Sequence, residues 1–143
     1  METEELVRRY AEAQARNDSE TMRRLSHADW REDWPQSGER VPNLEAYRRI
    51  HEALPGGMPD IDLREVAGSE DRWVVTPNMT VERIGGSGDS WIVEGIGTYP
   101  GGAIYHMVQH LRLRDGLVWR ATTYFAAPFE APAWRSTFVV PIG

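Results

Sequence analysis

The spacing of apolar residues changes character once along the chain. Up to about residue 55 it follows the period of a helix; from Ile61 onward it follows the period of a strand. Leu6, Val7, Tyr10, Ala11 and Gln14 form one stripe. They predict a first helix that starts after Thr3, a residue able to cap it. Glu4 and Glu5 fall in its first turn, where the helix dipole favours acids. Asn17-Asp18 ends the run, and Asp18 can cap a short second helix carrying Met22 and Leu25. Trp30, Trp34 and the turn Pro35-Gln36-Ser37-Gly38 predict a short strand over 28–36. Asn43 can cap a third helix with the stripe Leu44, Tyr47, Ile50, His51 and Leu54, which Pro55-Gly56-Gly57 ends.

Alternation then predicts strands near 61–67, 72–83, 90–98, 103–114 and 117–126. Turns fall at Gly85-Gly86-Ser87-Gly88-Asp89 and at Pro100-Gly101-Gly102, and Asp115-Gly116 signals a tight hairpin. The tail from Ala127 carries Pro128, Pro132 and Pro141, and reads as an irregular arm over 127–143 with a short final strand at 137–140. This order is an α+β arrangement within one domain, 1–143. Helices must cover one face of the antiparallel sheet. Long strands twist and curl, and a curled sheet under helices leaves a conical hollow suited to a ligand.

Composition narrows the chemistry. The 143 residues suffice for one buried core. No cysteine occurs, which excludes disulfides and thiolate catalysis. All 16 basic residues are arginine, and the net charge is −6. Residues 1–70 hold sixteen acids against ten arginines, whereas 71–143 are balanced. That distribution argues against nucleic acid as a partner. METEELVRRY lacks the apolar stretch of a signal peptide, and no apolar run approaches membrane length. The expectation is a cytoplasmic protein with no membrane partner.

Histidines 106 and 110 share one face of a strand and would stand about 13 Å apart. That is too far for one metal ion, and HExxH is absent, so neither a metal nor a cofactor is expected. Tyr105, Met107, Gln109, Leu111 and Leu113 form the more apolar face of this strand and should meet the core. His106, Val108, His110, Arg112 and Arg114 form the other, suited to solvent or a subunit interface, with a pocket role open to His110. In HADWREDWPQSGER, Asp29, Arg31 and Asp33 share one face and Trp30, Glu32 and Trp34 the other. An apolar wall raises a carboxylate's pKa and makes it a useful base, which fits Glu32 between two indoles if that face looks inward. Otherwise Glu32 pairs with an arginine or solvent. Six Trp with Tyr99, Tyr105, Tyr124 and Phe125 could wall a pocket for rings, or serve as core or dimer surface.

The segments DWREDWPQSGER, NLEAYRRI and LRLRDGLVWRATTYFAAPFEAP, in this order and spacing, resemble the SnoaL-like proteins of the nuclear transport factor 2-like (NTF2-like) superfamily. That superfamily includes polyketide cyclases, ketosteroid isomerase and limonene-epoxide hydrolase. The resemblance covers roughly residues 4–127. It implies an NTF2-like cone, with three helices on a strongly curved, mostly antiparallel sheet. It also implies a pocket for a small apolar ring compound and a homodimer through the sheet's outer face. Ketosteroid isomerase carries its base in the first strand beside a proline; matching on Pro35 puts Trp34 there, and an offset of one puts Asp33 there. The aspartate that polyketide cyclases carry after the hairpin matches Thr123, and their upstream histidine matches His110, or Gln109 by a shift of one. The epoxide hydrolase's Arg-Asp pairs have no match.

Two readings follow. In one, Asp33 or Glu32 is the base of an acid-base isomerisation or cyclisation, and Tyr105, Tyr124 or His110 donates a hydrogen bond to the developing oxyanion. Trp30, Trp34, Tyr47, Trp73, Met107 and Tyr124 would line the pocket. In the other, the domain binds a small molecule, or only pairs with itself, without chemistry.

Overall fold

Asp115 and Gly116 reverse the chain in two residues. Both have positive φ, 53° and 72°, as a type I′ hairpin requires. They join two long antiparallel strands, Ile104–Arg114 and Leu117–Ala126. The protein is seen in a computed structural model that describes residues 1–68, 72–75, 81–84 and 88–142. Of Glu65, 72–75 and 81–84 it describes the backbone alone. In chain order the elements are α1 (Thr3–Ala15), α2 (Ser19–Leu25), β1 (Ser26–Trp34), β2 (Glu39–Val41), α3 (Leu44–Glu52), β3 (Asp60–Gly68), β4 (Arg72–Val75), β5 (Val81–Ile84), β6 (Ser90–Thr98), β7 (Ile104–Arg114) and β8 (Leu117–Ala126).

Six strands form one sheet in the order β2-β1-β8-β7-β6-β3, and β4-β5 form a separate pair. Within the large sheet, β1 and β8 run parallel and every other pair antiparallel. The sheet curls without closing, with β2 and β3 at its edges, and the α+β expectation of three helices on a mostly antiparallel sheet holds. Leu6, Val7, Tyr10 and Ala11 of α1, Met22 of α2 and Tyr47 of α3 are buried with Trp91, Val93, Leu111, Val118 and Ala121 of the sheet. The inner face of the sheet is therefore the helix-covered one.

Local chemistry explains most boundaries. Asp18 caps α2 by accepting from Thr21 N–H at 3.1 Å, and Asn43 caps α3 by accepting from Ala46 N–H at 2.8 Å. β7 alternates as its sequence predicts, with Gln109, Leu111 and Leu113 buried while His106, Val108, Arg112 and Arg114 are exposed. On β8 the register skips one residue: Arg112 faces Arg120 whereas Leu113 faces Val118, so Trp119 is a bulge.

Four expectations need correction. Glu2, not Thr3, occupies the first cap position of α1, and its side chain makes no capping bond. The third helix ends at Glu52, short of Leu54. The segment predicted as one strand over 72–83 holds two antiparallel strands, 72–75 and 81–84, with Val75 paired to Val81. No strand forms at 137–140; the tail holds one 3₁₀ turn at Ala133–Arg135. Among the described residues no strand lies alongside this stretch to pair with it. The glycine-rich turn predicted at 85–89 lies outside the described residues except for Gly88 and Asp89. Among the described residues no helix is long and apolar enough to cross a membrane.

Candidate functional site

Sheet register decides which side chains meet. Glu32 of β1 stands beside Ala121 of β8, which pairs with Leu111 of β7, which pairs with Trp91 of β6. This row is inward and apolar apart from Glu32. One residue on, Asp33, Thr122, His110 and Ile92 make the neighbouring row, which faces outward. Trp30, Glu32 and Trp34 therefore share the helix-covered face. Trp30 is buried, donates from Nε1 to Tyr10 Oη at 2.8 Å, and meets Tyr47 edge-on at 5.7 Å. It forms structure behind the cavity wall rather than the wall itself.

Glu32 is 2 % exposed. Its Oε2 accepts from Trp34 Nε1–H, and its Oε1 accepts from Gln109 Nε2–H at 3.2 Å. Gln109 sits directly opposite Thr123, whose Oγ1 accepts from Nε2 at 2.9 Å. Gln109 and Gln14 of α1 exchange amide hydrogen bonds at 2.8 and 3.0 Å. The Gln109 amide has two hydrogens and three acceptors in reach, so the rotatable Thr123 hydroxyl is the member free to turn toward another partner. Burial pushes the Glu32 carboxyl up from 4.5 to about 7. The Trp34 bond opposes that rise, the Asp33 charge adds to it, and the Gln109 bond opposes it again.

These groups form one wall of a cavity of about 570 Å³, within the range of small-molecule sites. The helices contribute Ala11 and Gln14 from α1 and Tyr47, Ile50 and His51 from α3. The sheet contributes Ile61, Leu63, Val93 and Gly95, then Tyr105, Met107, Thr123 and Phe125. The hollow exists partly because the inner face of β6 carries glycine where a side chain would fill it. A Cβ at Gly97 would lie 2.4 Å from Met107 Cε, so that methionine takes the space instead. Trp34 meets Phe125 edge-on at 6.1 Å, and Tyr99 meets Tyr105 edge-on at 5.4 Å. His51 stacks on Tyr47 at 4.0 Å, and its Nδ1 lies 2.8 Å from the Tyr47 carbonyl oxygen. Nδ1–H donates to that oxygen, leaving Nε2 with the lone pair of the neutral ring, and burial holds the His51 pKa low. Burial and the nearby Glu32 charge push the Tyr47 hydroxyl well up, so it stays a donor.

Of the residues singled out from sequence, Glu32, Tyr105, Trp34, Tyr47 and Met107 line this cavity. Trp30 does not, being buried behind the wall, and three others turn away from it. Asp33 is on the outer face, half-exposed and bound to Arg40 through both carboxyl oxygens at 2.6 and 3.0 Å. His110 is also on the outer face, where its Nε2 lies 2.6 Å from Ser90 Oγ. Tyr124, between inward Thr123 and Phe125, is 46 % exposed. The physical reason is common to all three: each sits one residue from a cavity residue, and a strand turns successive side chains to opposite faces. The Trp73 side chain lies outside the described residues. The cavity wall also holds Gln14, Gln109 and Thr123; position 109 lines it and position 110 does not. Their signal was present: Gln14 and Gln109 are the amides that interrupt otherwise apolar stripes. Among the described residues no group of three His, Asp or Glu side chains is placed to hold a metal ion.

The SnoaL-like domain family matches residues 7–121. The chain belongs to that family. The match takes in Gln14, Glu32, Tyr47 and Gln109 and ends two residues before Thr123. This SnoaL-like chain is similar along 99% of its length to an NTF2-like protein of unknown function from Burkholderia xenovorans, at 28% identity, 95% coverage of that chain and a TM-score of 0.75. It is similar along 99% of its length to a protein from Kribbella flavida described as a candidate ketosteroid isomerase, at 26% identity, 90% coverage and a TM-score of 0.70. An NTF2-like protein of unknown function from Mesorhizobium loti shares the fold at 20% identity, covering 87% of this chain and 91% of its own, with a TM-score of 0.61. No curated protein matches the chain.

Proposed function

We propose that this SnoaL-like domain binds a small apolar, ring-bearing molecule in the cavity and moves a proton on it through Glu32. One observation carries the reading. A carboxyl buried to 2 % exposure, with its pKa pushed up to about 7, stands in the wall of an otherwise largely apolar hollow. Near neutral pH such a group both accepts and returns a proton, which an acid-base isomerisation or cyclisation requires. The carboxylate takes a proton from carbon beside a carbonyl, the electron pair moves onto the carbonyl oxygen, and the carboxyl, exchanging its proton with solvent, returns one at another carbon as the carbonyl re-forms. Tyr105 and Tyr47 both line the cavity and can donate to the oxyanion. Likeness to the Kribbella flavida protein supports an isomerase-like reading. Pairing of two copies through the outer face belongs to the same reading, supported by the exposed Ile104, Val108 and Tyr124.

The test is deuterium exchange into ring ketones and lactones in D₂O, with the wild type beside Glu32→Gln. Exchange should rise with pH through about 7 and fall by roughly 10²–10⁴-fold in the variant. Equal exchange in both proteins overturns the assignment. A second reading, binding without chemistry, has its own observation. Both Glu32 oxygens already accept hydrogen bonds, and Gln14, Gln109 and Thr123 are paired with one another. Saturable ligand uptake with no exchange would favour it.

A further inference from the structure

The outer face of the sheet divides into two halves. One exposes Ile104, Val108 and Tyr124. The other, beside the Asp115-Gly116 turn, is cationic. Register sets Arg31 of β1 beside Arg120 of β8, and Arg120 opposite Arg112 of β7. Arg114 follows on the same face of β7, and the β8 bulge adds Trp119. The indole gathers the guanidiniums: the Cζ atoms of Arg120, Arg114 and Arg112 lie 4.0, 5.1 and 5.9 Å from its ring centroid. A π face attracts these cations without neutralising them.

Compensating charge is partial: Asp29 acts on Arg120 and Asp33 on Arg31 and Arg120, but neither carboxylate forms an ion pair with them. Arg8, Arg9, Arg40, Arg48 and Arg49 each hold a carboxylate. Among the described residues Arg31, Arg112, Arg114 and Arg120 make no ion pair. The neighbouring Asp33 is committed to Arg40, and Asp29 gives Arg120 its backbone carbonyl. Arg31 Nε and Trp119 Nε1 are buried with no hydrogen-bond partner among the described residues. Buried donors of this kind ask for a missing acceptor. In a chain of net charge −6 the concentration is local, and burial with the charges of Arg31, Arg40 and Arg114 lowers the pKa of Arg120 against the opposing charge of Asp29.

We propose that this cluster is a binding site for a phosphate-type oxyanion, seated among the guanidiniums of Arg112, Arg114 and Arg120 on the face of the sheet opposite the Glu32 cavity. Guanidinium forks match the oxygens of a tetrahedral dianion in pairs, and such an anion supplies the charge the arginines lack. A two-fold contact with a second copy centred here would set guanidinium against guanidinium, so the apolar half is the better surface for self-association.

Calorimetric titration with inorganic phosphate, against sodium chloride at matched ionic strength, tests the site. The wild type should show one saturable uptake. The double substitution Arg112→Gln with Arg114→Gln, both exposed positions, should weaken it by about tenfold or more while circular dichroism stays unchanged. Glu32→Gln should bind phosphate like the wild type, which separates this site from the cavity. Phenyl phosphate run in parallel distinguishes the source. Equal uptake assigns a free anion, and tighter uptake assigns a phosphorylated ring compound stacking on Trp119. The proposal is overturned if the wild type takes up no phosphate saturably, or if the double variant binds it equally. It is also overturned if sedimentation shows the two arginines holding a dimer that phosphate leaves untouched.

Discussion

The two faces of β1 carry carboxyls one residue apart that the fold drives in opposite directions. Glu32 faces the helices, is buried, and has its pKa pushed up to about 7. Asp33 faces outward and is held below the ordinary carboxylate range by its bonds to Arg40. Residue type does not explain the difference, since both are simple carboxylic acids. Solvent and partner do: desolvation penalises the charged form of one, and a guanidinium favours it in the other. The same strand thereby supplies a weak acid able to exchange protons near neutrality and a surface group that is ionised there.

The contrast can be broken from its inner side first. Trp30→Ala removes the indole behind Glu32 and leaves Tyr10 Oη without its donor; it should cost about 3–5 kcal/mol of stability by urea denaturation. Next comes pH. Between 4.5 and about 7 the folded chain keeps a Glu32 proton that the unfolded chain has released. Stability therefore falls as pH rises through that window, by up to about 3 kcal/mol, and levels off above it. The lowered pKa values of His51 and His110 act with the opposite sign below 6.5. The measurement is accordingly the difference between wild type and Glu32→Gln, which should carry the Glu32 slope alone. Asp18, Asp33 and Glu45, all lowered, lose their contributions only at more acidic pH.

Gln109→Leu sharpens the comparison. It takes a donor from Glu32 and a partner from Thr123 and Gln14, so stability should drop by about 1–3 kcal/mol. The Glu32 midpoint, followed by carboxyl carbon NMR, should move further above 7. Asp33→Asn is the smallest change. It removes a surface ion pair and should shift stability by less than about 1 kcal/mol and leave the cavity chemistry intact. A large loss of proton exchange in Asp33→Asn would reverse the assignment of the two faces.

Much of the fold was legible in local chemistry. Asp18 and Asn43 cap helices because a short side-chain oxygen reaches the orphan N–H groups two or three residues on. Asp115-Gly116 turns the chain because aspartate and glycine accept positive φ. The apolar face of β7 was readable because Leu111 and Leu113 can be satisfied only in the core. Segment 72–83 misled because alternation reports a strand's face and not its end. The arm misled because β-branched residues near its end, Val139 and Val140, have no neighbouring ladder to join.

The chain's own sequence determined the order of helices and strands, the alternation along each strand, and the presence of acids, amides and indoles at alternate positions near residue 32. Those follow from backbone sterics and from the local reach of side chains. Which parity of β1 turned inward was a matter for tertiary structure alone. That outcome depends on pairing with β8, ninety residues later in the chain, and on Gln14 and Gln109 arriving from two other elements. A carboxyl acquires an unusual acidity only when distant segments exclude water from it together, and no short stretch of sequence contains that event.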